Sequence, residues 1–228
     1  MRGTLRWRPG PTWYGLLFVW VAALALAGPW DLPLSRAVAD VDGTLFTDTI
    51  QTWGTTPSGV LQLLAVFVLL IPALRRRSES LQIAAVTLLV MSILHPLVVT
   101  TAIKFAWGRL RFLQLGGDPG LFTPFWQPNT AAGGVSFPSG HVATACSLSP
   151  VVVHLWWARR RGAAAVLGIV VAAWTLTVAW GRIAGGYHYL TDVVFSMGLS
   201  ALLAPAVAVW GEAAWRRWFR EPPPPPGC

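Results

Sequence analysis

Charge is what this chain has least of. Only 11% of its 228 residues are Asp, Glu, Lys or Arg, against roughly a quarter in an ordinary soluble domain. So few charges cannot coat a water-exposed surface, and a soluble globular domain is excluded. Cysteine occurs twice, at Cys146 inside an apolar run and at Cys228, so no disulfide framework is indicated. Lysine occurs once, at Lys104, beside sixteen arginines. No internal repeat is visible, which argues against a repeat-built transporter.

Apolar residues make up 54% of the chain, and fourteen are tryptophan. Several of these close apolar runs (Trp13, Trp30, Trp53, Trp156, Trp157, Trp180, Trp210), where an interfacial aromatic belt would put them. Six runs approach the ~20 residues that a bilayer crossing needs. They lie at about 13–30, 57–74, 81–103, 140–158, 163–181 and 190–210. The expected fold class is all-α, an integral membrane bundle of six transmembrane helices. The domain reading is a cytoplasmic segment over 1–12, a membrane domain over 13–215 and a cytoplasmic tail over 216–228 with its run Pro222–Pro226.

The net charge of +8 is distributed by topology. Arg2, Arg6 and Arg8, the triplets Arg75–Arg77 and Arg159–Arg161, and Arg216, Arg217 and Arg220 put twelve cations on one side. Arg36, Lys104, Arg109, Arg111 and Arg182 put five on the other. The positive-inside rule then places both termini in the cytoplasm and the loops 31–56, 104–139 and 182–189 outside, in the cell membrane. Clusters set by topology are not a nucleic-acid face, so no nucleic-acid partner is expected. Ala25-Leu26-Ala27 mimics a signal-peptide cleavage site, but the run continues through Trp30, which favours a retained anchor. Asp31, Asp40, Asp42 and Asp48, interleaved with Val38, Val41, Leu45, Ile50 and Trp53, predict a helix lying on the outer surface. The Gly-, Pro- and aromatic-rich stretch 113–137 reads as a lid, a binding loop or a disordered segment.

Charged groups at membrane depth are costly and mark functional sites. Three clusters fall on the outer side. In the first, Lys104, Arg109 and Arg111, the lone lysine selects a compact ammonium where arginine is otherwise used throughout. Lys104 and Arg111 stand about 10 Å apart if the helix continues, although Gly108 can break it. Interfacial anchoring is the competing reading, and Arg109 fits anchoring as well as phosphate binding. In the second, Ser136-Phe137-Pro138-Ser139-Gly140-His141, Pro138 disfavours helix before it and Ser139 is a natural N-cap. Gly140 allows close backbone approach, and an apolar helix from His141 to Trp157 would offer its positive end to phosphate. His141 in its first turn is placed to hand a proton to a leaving group. In the third, Arg182 to Asp192, His188 and Asp192 are four apart on one helical face. The carboxylate can hold one ring nitrogen and leave the other free to attack. Each cluster alone also fits a cap, an anchor or a structural pair; the joint placement points to a phosphate-handling site. His95, before Pro96, reads as a hydrogen-bonded histidine at a kink, and His154 as interfacial. Tyr187 and Tyr189 read as interfacial too, with Tyr187 able to border the pocket.

Lys104 with Arg111 seven on, Pro138-Ser139-Gly140-His141, and Arg182 with His188 and Asp192 together resemble the three-part signature of the type 2 phosphatidic acid phosphatase superfamily. That superfamily includes integral lipid phosphatases and soluble vanadium haloperoxidases, and the resemblance covers roughly 57–210. It implies that His188 is the nucleophile forming a phosphohistidine, that Asp192 orients it, and that His141 protonates the leaving group. It also implies that Lys104, Arg111, Arg182 and the Ser139–Gly140 backbone hold the phosphoryl oxygens, with no metal or other cofactor. Two positions depart from the pattern: Phe112 stands where proline is usual, and Gly181 where serine is common. The expected activity is hydrolysis of a phosphomonoester or terminal diphosphate on a lipid, with phosphatidic acid, phosphatidylglycerol phosphate and polyprenyl diphosphate as candidates. A lipid phosphotransferase on the same scaffold and a non-catalytic lipid or anion binder are the alternatives.

Overall fold

A computed structural model describes residues 7–40, 43–75 and 78–219. Arg2, Arg6, Val41, Asp42, Arg76, Arg77, Arg220 and the Pro222–Pro226 run lie outside the described residues. The described chain is helical throughout, with no strand. Five stretches are long and apolar enough to cross a membrane: Pro11–Val38, Leu45–Leu70, Glu79–Leu115, Arg161–Ala184 and Leu190–Trp218.

The first stretch is α1 (Pro11–Ala27), with Pro11 at its first position, running through a tight turn at Gly28–Trp30 into α2 (Asp31–Val38). Next come α3 (Leu45–Trp53), started by a capping box between Thr44 and Thr47, then α4 (Thr56–Leu70) and the short α5 (Pro72–Arg75). Helix α6 (Glu79–Ser92), capped by Ser78, continues through π-helical turns at Ile93–Thr100 into α7 (Thr101–Trp107). Helices α8 (Gly140–Ala145), α9 (Ser149–Trp157), α10 (Arg161–Ala184) and α11 (Leu190–Trp218) complete the bundle.

Four sequence expectations need correction. The segment 140–158 is not one continuous helix, because α8 and α9 are separated by a 3-10 turn at Cys146–Leu148. Pro150 explains the break: it has no N–H for the Cys146 carbonyl, which accepts from Ser149 N within the 3-10 turn and from Ser200 Oγ of α11 at 3.3 Å. The 31–56 region is not a surface helix. Helix α2 extends the first stretch and buries Asp31 and Ser35, while α3 buries Thr47 and Ile50. At Pro96 the kink is present as π-helical turns, but His95 is fully buried and neither ring nitrogen has a hydrogen-bond partner. His154 is likewise buried rather than interfacial.

Helix α11 is the axis of the bundle, packed by α1, α6 and α9. Lipid tails give no hydrophobic drive for helix association, so small residues that let backbones approach do much of the work. Gly198 lies under the Trp20 indole, and Trp20 Nε1 donates to the Val194 carbonyl at 3.2 Å. Gly211 lies against Thr87 of α6. Trp13 Nε1 donates to the Leu202 carbonyl at 3.0 Å, a second tie between α1 and α11. One apolar cluster, with Val142, Ala145, Val178, Ile183 and Val193 around Ile50, sits directly beneath the clustered polar residues.

Candidate active site

Arg182 occupies the last turn of α10. The chain then reverses so tightly that the N–H groups of Tyr187 and His188 both donate to the Arg182 carbonyl, each at 3.1 Å. Gly186 makes this possible with φ 67, the left-handed region that glycine enters without strain. Its carbonyl accepts from Leu113 N at 3.3 Å, which binds the segment after Arg111 to the turn before His188. Ser139 caps α8, as its sequence position predicts. Its N–H donates to the Asp192 carbonyl at 3.2 Å, and its carbonyl accepts from Ser196 Oγ at 2.9 Å. The starts of α8 and α11 are thereby fixed side by side.

Lys104 reaches this junction from α7. Its Nζ donates to the Val135 carbonyl at 2.5 Å, and a Cβ built on Gly140 would lie 3.8 Å from Lys104 Cε. Helix α7 ends at Trp107 because Gly108 turns left-handed, so no continuous helix joins Lys104 to Arg111. Tyr187 lies under two guanidiniums instead, with Arg182 at 4.3 Å and Arg111 at 5.8 Å from its ring centre. Arg182, Lys104 and Arg111 all act electrostatically on His141, and Arg182 and Lys104 act on His188. Lys104, Arg111, Ser139, Gly140, His141, Arg182, His188 and Asp192 are thus brought to one place.

Hydrogen-bonding roles follow from what each partner can do. A carboxylate only accepts, so the 3.4 Å contact of His188 Nδ1 with Asp192 Oδ2 puts the ring hydrogen on Nδ1 and the lone pair on Nε2. Burial pushes this imidazole down to about 3, which keeps it neutral. His141 Nε2 lies 3.2 Å from the Gln51 carbonyl, another pure acceptor, so that nitrogen carries hydrogen. Arg182 is 1% exposed, yet its Nε and Nη1 have no hydrogen-bond partner, and neither does Arg111 Nε. Buried guanidinium donors without acceptors are costly. An anion among them would remove that cost.

Four readings change. Helix α8 has six residues before its break, too short for the long dipole expected of 141–157, so the fixed cations carry more of the anion's charge. Arg109 is neither an exposed phosphate ligand nor an anchor. It is fully buried, packs on Tyr189 at 4.1 Å, and ion-pairs with Asp192 at 2.6 Å and Asp31 at 2.8 Å. Tyr189 is fully buried, not interfacial. The 113–137 stretch is pinned rather than loose: Trp107 Nε1 donates to the Phe125 carbonyl at 2.6 Å, and Arg109 Nε to the Thr123 carbonyl at 2.9 Å.

Sequence reasoning missed Asp31, Ser136 and Gln51. Asp31 carried a signal, a carboxylate at the end of a 17-residue apolar helix, but its partner Arg109 is 78 residues away. Ser136 Oγ donates to Asp192 Oδ2 at 2.5 Å, and Gln51 acts through its backbone, which no side-chain motif reveals.

No curated protein and no solved structure matches this sequence. A family model described as PAP2 superfamily matches residues 84–216, more than half of the chain. The match spans Lys104, Arg111, the Ser139–His141 turn, Arg182, His188 and Asp192, and leaves out Asp31 and Gln51. On that match, and on a helical membrane bundle that gathers those side chains, the chain belongs to the PAP2 superfamily of phosphatases.

Proposed function

We propose that the protein is a membrane lipid phosphatase that cleaves a phosphomonoester or terminal diphosphate from a lipid through a phosphohistidine on His188. The observation that carries this reading is the buried Arg182 and the half-buried Arg111, both with unpaired buried donors, beside a neutral, carboxylate-held imidazole. A phosphoryl group between Arg182, Arg111 and Lys104 would satisfy those donors. His188 Nε2 attacks phosphorus, and the bond to the leaving oxygen breaks as His141, entering the step as imidazolium with its Nε2–H on the Gln51 carbonyl, supplies its Nδ1 proton. Asp192 holds the Nδ1 hydrogen and balances the positive charge that builds on the ring. Water then attacks the phosphohistidine while His141 takes its proton, the P–N bond breaks, and His188 is regenerated. Three fixed cations stabilise the charge of the transferring group without a metal ion.

In this reading α8 and α9 together make the sixth crossing, alongside the five long apolar stretches. The basic triplets face the cytoplasm, and the site opens towards the outer leaflet of the cell membrane. The packing of Trp13 and Trp20 onto α11 supports a first helix that stays in the bundle. The substrates that fit are phosphatidic acid, phosphatidylglycerol phosphate and polyprenyl diphosphates, each with a phosphate at headgroup depth and an apolar tail for the bilayer. The test is phosphate release from these lipids by the detergent-purified protein in the presence of a chelator. Turnover is expected, together with its loss in His188→Ala. Near-normal release by that variant would refute the mechanism.

A further inference from the structure

Arg109 differs from Arg182 and Arg111 in that each of its three nitrogens has a partner. Nε donates to the Thr123 carbonyl at 2.9 Å, Nη1 to Asp192 Oδ1 at 2.6 Å and Thr191 Oγ1 at 3.0 Å, and Nη2 to Asp31 Oδ2 at 2.8 Å. Asp31 in turn accepts from Thr191 N at 2.8 Å through Oδ1 and from Thr191 Oγ1 at 2.6 Å through Oδ2. All of these side chains are at most 1% exposed. The far end of the network is Asp192, whose Oδ1 is held by Arg109. Its Oδ2 takes Ser136 Oγ at 2.5 Å, Tyr189 N at 2.9 Å and His188 Nδ1 at 3.4 Å.

We propose that Arg109 and Asp31 are positioning residues for the nucleophile, and that Asp31 brings the first membrane helix into the site from outside the family-matched region. Two carboxylates and one guanidinium leave the network with a single negative charge. The fork of Arg109 occupies Asp192 Oδ1 and turns Oδ2 towards His188. Without Arg109, two buried carboxylates would face each other across the same space, and such pairs do not both stay ionised. A proton shared between the two carboxylates weakens the hold of Asp192 on the Nδ1 hydrogen of His188. Without the charge of Asp31, the guanidinium pairs with Asp192 alone and draws the carboxylate away from the imidazole. Because every nitrogen of Arg109 already has a partner and the side chain is fully buried, it acts through Asp192 and not on the phosphate, which separates it from Arg182 and Arg111.

The inference rests on His188 as nucleophile, and a double-substitution cycle tests it. Phosphate release is measured in mixed micelles, from whichever of the three candidate lipids the wild-type protein turns over fastest, with Arg109→Met, Asp31→Asn and the double variant of the full chain. Arg109→Met should lower kcat about 100-fold, the upper end of what loss of an orienting partner costs, with KM within about threefold of wild type. Asp31→Asn should lower kcat about tenfold. The double variant restores the single negative charge on Asp192 and should recover about tenfold over Arg109→Met, an interaction between contacting residues that a purely additive loss would lack. A rise in KM that matches the loss in kcat would make Arg109 a phosphate ligand and overturn the proposal. So would losses that multiply in the double variant, or an Asp31→Asn enzyme with normal kcat. If Arg109→Met does not elute as folded protein, Asp31→Asn decides the matter: kcat about tenfold lower with KM unchanged supports the proposal, and a normal kcat overturns it. Wild-type protein that releases no phosphate, or a His188→Ala variant that still does, sinks the proposed function and this role with it. Normal wild-type turnover with a dead His188→Ala leaves the cycle to judge the positioning role alone.

Discussion

Replacing Gly181 with serine, the residue common in the family at this position, should damage this protein. A Cβ at Gly181 would fall 2.7 Å from Ile50 Cγ2 and 2.8 Å from Ile50 Cβ and Cγ1. Carbon atoms prefer about 3.5–4.0 Å, so α3 would have to retreat from α10 by roughly 1 Å. Overpacking of this kind costs about 1–3 kcal/mol, and the better helix propensity of serine returns about 0.5 kcal/mol. The net loss of about 1–2 kcal/mol corresponds to a drop of about 3–6 °C in thermal midpoint for a chain of this size. The effect reaches the site because α3 carries both Ile50 and Gln51, and the Gln51 carbonyl holds His141 Nε2 at 3.2 Å. Turnover should therefore fall further than stability alone explains, by about tenfold if one orienting contact is lost. The assay pairs thermal unfolding in detergent with phosphate release, each repeated in an Ile50→Ala background where the Cγ1 and Cγ2 overlaps are gone. Partial recovery of turnover in the double variant is expected. A Gly181→Ser protein with wild-type midpoint and wild-type turnover would refute the claim that Ile50 took the place of the serine.

Gly140→Ala should fold normally, because its Cβ would meet only Lys104 Cε at 3.8 Å and Thr100 Cγ2 at 4.0 Å. Its KM should nevertheless rise about tenfold if phosphate approaches this backbone, and an unchanged KM with an unchanged midpoint would contradict that placement. Arg182→Gln should lower kcat at least 100-fold, about 2.7 kcal/mol, since it removes a preorganised cation from the transferring phosphoryl group; a loss confined to KM would count against that role. Gly198→Ala should detach α1 from α11, because the new methyl would overlap the Trp20 indole. A thermal midpoint lowered by several degrees in detergent is expected, and an unshifted one would show that this contact carries no stability.

How much could be read from the sequence depended on range. The cap at Ser139 and the His188–Asp192 pair are local, set by residues three or four apart, and they stand where periodicity put them. The turn at Gly108 was half-legible: the glycine announced a break, but not that 113–137 would fold back and be held by Trp107 and Arg109. Helix α8 is shorter than its sequence suggests because the Cys146 carbonyl, denied its helical donor by Pro150, is shared between Ser149 N and Ser200 Oγ of a distant helix. The Asp31–Arg109–Asp192 network was out of reach for the same reason. Its members are ordinary polar residues in sequence, and only the approach of α2 to the start of α11 gives them meaning. Gly181, a departure from the family pattern in sequence, becomes intelligible once Ile50 is seen packed over it.

The central claim is that His188 forms a bond to phosphorus. Protein incubated briefly with lipid carrying a 32P-labelled terminal phosphate, quenched in alkali and digested, should yield one acid-labile, alkali-stable labelled peptide spanning residue 188, absent from His188→Ala. Label on any other residue, or steady phosphate release with no trapped phosphohistidine and an active His188→Ala, would contradict the account.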